Sequence, residues 1–289
     1  MRGERRAAFA LTAPAVLLVA VFVLSPIVQA FVNSLYRDTP FAPRSFIGLS
    51  NYVRLIGDDV ARGTVEFTFL FVVISTTLEI LIGLGLALVI HEQFRGRGLV
   101  RAAVLIPWAI PTVVAGVMWK FMLNDQYGFF NLLIHGSDLS HYTAWLSTPW
   151  GARLAIIAAD VWKTSSFAAL LILAGLQSIP DDLYDAARVD GAGILKRFWS
   201  VTLPLLRQAI LLALLFRVMD AFRVFALVYV MTQGAPAGST NVLQYFGYQK
   251  MFPEQQFGYG SAVSVVVFLL IAVASIILIK SVRTRVFET

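Results

Sequence analysis

The stretch YDAARVDGAGILKRFWSVTLPLL, Tyr184 to Leu206, lies between two long apolar runs and holds Asp185, Arg188, Asp190, Lys196 and Arg197 in a chain with few charges. What surrounds it decides what it is. Of 289 residues, 58% are hydrophobic and 14% charged, with a mean hydropathy of +0.75, a composition that no soluble globule carries. A bilayer core of roughly 30 Å takes about 20 apolar residues per helix. Runs of that length fall at Phe9–Phe31, Thr64–Ile90, Ala102–Leu123, Ala152–Gln177, Leu205–Met231 and Ser261–Lys280. They are continuous and do not alternate in ten-residue segments, which excludes a β-barrel. The expectation is an all-α integral membrane protein of six transmembrane helices.

The first run begins with the basic MRGERR and contains a small-residue VQA at Val28–Ala30, so a cleaved leader is one alternative. Its apolar length exceeds that of a leader core, which favours a retained helix. There is no cysteine, so neither a disulfide framework nor a thiolate metal site is available. His91, His135 and His141 lack ligand spacing and read as surface residues; no metal site is expected.

Positive residues near helix ends stay on the cytoplasmic side. An inside N-terminus places Arg2, Arg5, Arg6, Arg95, Arg97, Arg101, Arg188, Lys196, Arg197, Arg207, Lys280, Arg283 and Arg285 there, more than half of the 23 basic side chains. Both termini are then cytoplasmic, as is the stretch quoted above. The formal charge of +6 follows from this topology and from anionic lipid, and needs no nucleic-acid partner.

Within the cytoplasmic segment, Ser178 fits an N-cap with Pro180 in the first turn, and Asp181 and Asp182 suit a helix N-terminus. Leu183, Ala186, Ala187 and Asp190 recur at three- and four-residue spacing, and Gly191 can take the left-handed conformation that ends a helix. A second short amphipathic piece, Ile194 to Val201, runs into Leu203-Pro204 and the fifth span. One reading is an interfacial helix lying on the membrane.

Spacing supplies another. Asp185-Ala186-Ala187, three residues, Gly191, nine residues, then Val201-Thr202-Leu203-Pro204 resembles the EAA loop of ABC importer permeases, Glu-Ala-Ala, x3, Gly, x9, Ile-x-Leu-Pro, with Asp185 for Glu and Val201 for Ile. The resemblance covers roughly Thr64 to Ser281. It includes LIPWAIPTVVAGVMWKFMLNDQYGFFN (Leu105–Asn131), VWKTSSFAALLILAGLQSIPDDLYDAA (Val161–Ala187) and DAFRVFALVYVMTQGAP (Asp220–Pro236). The chain is similar to type I importer permeases of the maltose and glycerol-phosphate branch.

That resemblance implies a second permease subunit, two ATPase subunits holding ATP and Mg, and an external binding protein that delivers a sugar, a disaccharide such as trehalose. It implies a five-helix core over 64–281; outside that core lie an N-terminal helix and external loop over 1–63, the helix expected to wrap around the partner permease, and a cytoplasmic tail over 282–289. Asp185, Ala186, Ala187, Asp190, Gly191, Ala192, Leu203 and Pro204 would couple to an ATPase. The sequence has no G-x-x-x-x-G-K-[ST] loop of its own, so no cofactor is expected on this chain, a transport subunit and not an enzyme.

Ionisable residues at bilayer depth are costly and face a partner or a water-filled cavity. Asp160 and Lys163 share a face of the fourth span; Arg217, Asp220 and Arg223 step by three along the fifth, so one carboxylate serves two guanidinium groups. Mutual neutralisation and a substrate path both fit. By likeness to maltose-type permeases, Lys163, Thr164, Phe167, Phe222 and Arg223 fall at or beside the path. Glu79, alone in the second span, reads as a packing or subunit-interface residue. The external segment Thr232–Gly260, with Tyr245, Phe246, Tyr248, Phe252, Phe257 and Tyr259, reads as an aromatic belt or a docking surface. A secondary transporter or channel remains an alternative, but the paired broken helices such a protein shows are not evident. An intramembrane enzyme would need a constellation that is absent.

Overall fold

The computed structural model describes residues 2–136 and 138–283. From 284 on, the expected tail lies outside the described residues. The chain forms two compact units, residues 1–62 with 246–269, and 63–245 with 270–289.

In the first unit, α1 (Arg2–Val19) continues through a π-helical turn, Ala20–Leu24, into α2 (Ser25–Ser34). The strands β1 (Tyr36–Thr39) and β2 (Ala42–Phe46) follow as an antiparallel hairpin pairing Tyr36 with Phe46. This short hairpin is a local addition to a chain that is otherwise helical, as the sequence leads one to expect. The cause is local: Tyr36 and Phe46 meet edge to face across the pair, and the turn is built around Pro40. Asn51, on α3 (Ser50–Gly57), donates to the carbonyls of Ser34 and Tyr36, which fixes α3 under the hairpin. Asp58 accepts from the N–H groups of Val60 and Ala61 and from the Tyr259 hydroxyl. Partial burial raises its pKa, but these hydrogen bonds outweigh that and hold the carboxyl below its ordinary value.

The second unit is built on α8 (Pro149–Leu176), whose small residues Ala155, Ala159, Ser165, Ala168 and Ala169 are buried. Small side chains let neighbouring helices approach. A Cβ on Gly83 of α4 (Asp59–His91) would lie 2.8 Å from that of Ala168, and one on Gly175 would strike Ala209 of α11 (Leu203–Phe222). α8 also packs on α5 (Arg97–Ala109), α6 (Thr112–Met122) and α12 (Ala226–Met231). Asn131, fully buried on α7 (Phe129–His135), donates to the carbonyls of Asn124 and Thr143 and accepts from Thr143 N–H and Trp145 Nε1, which closes the loop from α6 to α8. After the loop 232–242 come α13 (Leu243–Met251) and α14 (Phe257–Arg283).

Among the described residues, five helical stretches are long and apolar enough to cross a membrane: Leu11–Ser34, Asp59–His91, Pro149–Leu176, Ile194–Phe222 and Phe257–Ser281. The third expected run, Ala102–Leu123, is not one helix. Within it α5 and α6 are bent by 92°. Ile110 is extended at φ −68°, ψ 131°, the conformation favoured before a proline, and Pro111 then starts α6. The fifth run differs as well. It begins earlier than expected and ends at Phe222; α12 is separate, after the break at 223–225. Two runs that read as continuous spans are thus interrupted, one by the bend at 110–111 and one by the break at 223–225.

Candidate functional site

The buried charges converge on Arg217. Its Nε donates to Glu79 Oε2 at 2.6 Å and its Nη2 to Oε1 at 3.2 Å, a two-pronged contact between α11 and α4. Asp160 of α8 faces Nη2 at 3.5 Å, and Asp220 lies 3.5 Å from Nη1. Glu79 is fully buried and the Arg217 side chain is 4% exposed, so an unpaired member would leave a bare charge in a helix bundle. Asp220 also accepts from Arg223 Nη2 at 2.7 Å, and this pair is about half exposed at the end of α11.

Asp220 thus serves two guanidinium groups as the sequence suggests, but the principal partner of Arg217 is Glu79. The sequence reading of Glu79 as a packing residue is too modest: it is the carboxylate that neutralises the buried arginine. Asp160 and Lys163, though one turn apart, are not within ion-pair distance. Lys163 Nζ donates instead to the Trp108 carbonyl at 3.1 Å, in the last turn of α5. Thr164 is turned onto its own helix, donating to the Asp160 carbonyl. Phe222 is buried against Phe69. Of the five residues placed beside a path by resemblance, Lys163, Thr164 and Phe222 are buried, while Phe167 is partly open and Arg223 exposed. Phe167 stacks on Trp108 and meets Phe216 edge to face. Phe216, Asp220 and Arg223 recur at i, i+4 and i+7 and are all exposed on one face of α11.

The second site is the segment after α8. Ser178 is not an N-cap; its hydroxyl donates to the Gly175 carbonyl and closes the end of α8, while Pro180 caps α9 (Asp181–Val189). Gly191 sits at φ +73°, with Ala192 N–H on the Ala187 carbonyl at 2.9 Å and Gly191 N–H on the Arg188 carbonyl at 3.0 Å. This paired pattern ends α9 by a left-handed residue that glycine adopts without strain. Then α10 (Ile194–Arg197) continues through a π-helical turn, Phe198–Thr202, into α11, so the second piece runs into the span without a break. Tyr184 turns inward to Thr202 at 3.2 Å. Leu183, Val189, Ile194, Leu195 and Trp199 face outward, and Asp185 pairs with Arg188 at 2.7 Å on the surface.

The aromatics of 232–260 divide. Tyr245, Phe246 and Tyr259 are buried, while Phe252 and Phe257 are exposed. The loop before α13 is tied to α8 by Arg153 Nε on the Ser239 carbonyl at 2.8 Å. His141 pairs with Asp138 and stacks on His135; among the described residues no group of three metal-ligand side chains occurs.

Residues 79–287 match the family described as binding-protein-dependent transport system inner membrane component. The chain belongs to that family and is a multi-pass inner-membrane permease. It is 41% identical to the trehalose/maltose transport system permease protein MalF of Thermococcus litoralis, over 98% of this chain and 95% of that one. It is 42% identical to the trehalose transport system permease protein SugA of Mycobacterium tuberculosis, over 96% and 89%. In fold it is similar to a chain of a bacterial alginate ABC transporter, solved with a periplasmic protein bound to alginate pentasaccharide, with a TM-score of 0.86 at 20% identity over 98% and 96% of the two chains.

Proposed function

We propose that this chain is one of two permease subunits of an ATP-driven sugar importer. It forms half of a pathway for a disaccharide such as trehalose, handed over by an external binding protein. Both termini and the loop around α9 lie on the cytoplasmic side in this reading, where two ATPase subunits hold ATP and Mg. The observation that carries it is the segment 178–204. A short helix is held by a left-handed glycine against a second helix that runs unbroken into a membrane span, with Leu183, Val189, Ile194, Leu195 and Trp199 exposed for a partner. A push on α9 and α10 is thereby delivered along α11 to its far end, where Asp220 and Arg223 lie.

The names of the relatives support a sugar, and the chemistry fits one. Exposed Arg223 and Asp220 offer donors and acceptors to hydroxyls beside Phe216, Phe167 and Trp108, whose faces suit the apolar side of a pyranose ring. Loss of trehalose uptake in cells lacking this chain, with other sugars unaffected, would fix the substrate; unchanged uptake of every sugar tested would remove the carbohydrate assignment. Purified in mild detergent, the chain should bring down a second permease and an ATPase. A chain that transports alone would support a secondary transporter instead.

A further inference from the structure

The two interrupted helices share a geometry. Beyond the breaks at 110–111 and 223–225, α6 and α12 pack against each other: a Cβ on Gly116 would lie 3.3 Å from that of Val230 and 3.7 Å from the end of Leu227. Before the breaks, α5 and α11 each pack on α8, which runs uninterrupted past both. One turn of α8 reaches each of them: Asp160 faces Arg217 on α11, and Lys163 holds Trp108 on α5.

Lys163 is the less expected of these contacts. Its residue is 7% exposed, and among the described residues no carboxylate lies within ion-pair distance of its ammonium. The hydrogen bond to the Trp108 carbonyl places a cation where α5 presents the negative end of its dipole, two residues before the bend. Such a bond satisfies a backbone oxygen that the end of the helix leaves without an N–H partner, because the chain bends away before Thr112, the residue that would otherwise donate to it. The bend also places Trp108 on Phe167, one turn further along α8, so ring and ammonium grip the same residue.

We propose that Lys163 is a positioning residue for transport: it pins the end of α5 to α8 and so sets the bend from which the paired α6 and α12 swing. Resting on the importer reading, this assigns to Lys163 the control of coupling and not a contact with sugar. Release of the pin lets the bend relax without nucleotide-driven movement of α11, so ATP is hydrolysed without cargo.

The test uses the complete importer in liposomes, first confirming that sugar-loaded binding protein stimulates the wild-type ATPase. Absence of that stimulation would overturn the importer reading itself, before any variant is compared. Lys163→Met is then expected to raise sugar-free hydrolysis and lower sugar moved per ATP, each by about tenfold, the shift that one charge-assisted hydrogen bond produces in a two-state equilibrium. KM for the sugar should stay near wild type. Lys163→Arg, which keeps a charged donor, should restore most of the coupling. Because the chain has no cysteine, Gly116→Cys with Val230→Cys gives a clean disulfide report on the α6–α12 pair. That crosslink should form equally in the presence of Lys163→Met. A raised KM with wild-type sugar-free hydrolysis would make Lys163 a sugar contact and overturn the proposal. So would wild-type coupling in Lys163→Met, failure of Lys163→Arg to rescue, or loss of the crosslink.

Discussion

Two arginine–carboxylate pairs in this chain have nearly the same length and opposite meaning. Arg217–Glu79 closes at 2.6 Å with side chains 4% and 0% exposed, whereas Arg188–Asp185 closes at 2.7 Å with side chains 63% and 64% exposed. Distance therefore says little, and surroundings decide. In the bundle the pair joins α11 to α4 and draws in Asp160 from α8, so three helices share one guanidinium. At the surface the pair lies within a single helix, next to apolar side chains with nothing over them. The first arrangement holds a shape; the second presents one.

Removing Arg217 should break the buried arrangement most severely. Arg217→Met strands Glu79 and Asp160 together in the bundle, and Glu79→Ala leaves the arginine only the longer contacts to Asp160 and Asp220, each at 3.5 Å. Loss of one partner of a buried pair costs about 3–5 kcal/mol, and Arg217→Met should sit at or above the top of that range. The double variant Glu79→Leu with Arg217→Met should recover part of the loss but not all, since Asp160 remains without its cation. Thermal unfolding of the purified complex, compared across the three, would show this order. Equal stability of Glu79→Ala and wild type would remove Glu79 from the cluster.

Next in size is Gly191→Val. No atom crowds the position, as a Cβ there would meet nothing within 4 Å. The penalty comes wholly from φ +73°, which a β-branched residue adopts at a cost on the order of 1–3 kcal/mol. The end of α9 should be displaced, and ATP hydrolysis should lose its stimulation by loaded binding protein while the bundle still melts near the wild-type temperature. Normal stimulation with normal assembly would refute a coupling role.

A smaller effect is expected at the end of α11. The sequence alone makes Asp220 the sole carboxylate for two arginines, and Asp220→Ala would then be damaging. With Glu79 holding Arg217, and Asp220 half exposed, Asp220→Ala should cost only about 1 kcal/mol. Arg223→Ala should leave the melting temperature near wild type and weaken sugar transport. The pair would lose its place in the pathway if uptake by Arg223→Ala matched wild type.

The reach of the sequence follows the range of the interactions. The segment 178–204 was legible because its signals are local: acidic residues in a first turn, a glycine at a helix end, small residues at fixed spacing. The bend at 110–111 was partly written in Pro107 and Pro111, but the apolar run continues through both halves and reads as one span. The break at 223–225 has neither glycine nor proline, and its cause is not local. Glu79 and Arg217 are 138 residues apart, so no spacing rule joins them. Likewise, nothing in the pattern of α8 says that Lys163 turns to a backbone carbonyl of α5 and not to Asp160. The candidate coupling residues were thus read from neighbours in sequence, and the bundle charges only from neighbours in space.

The surface pair gives the finest test of the contrast. An exposed ion pair three residues apart on one helix is worth about 0–1 kcal/mol, because water screens the charges and two long side chains lose freedom in meeting. Arg188→Ala should therefore leave the melting temperature of the permease almost unchanged. Its effect should appear only when a partner covers this face: the pair lies beside exposed Leu183 and Val189, and burial on docking would strip away the water that screens it. Assembly with the ATPase should then weaken by a few-fold and recover partly in the exchanged variant Asp185→Arg with Arg188→Asp, which keeps the pair but reverses its direction. Titration of permease with purified ATPase, read beside thermal unfolding of the permease alone, separates the two quantities. If Arg188→Ala lowered the permease's own stability as far as Arg217→Met, exposure would not be what distinguishes the two pairs.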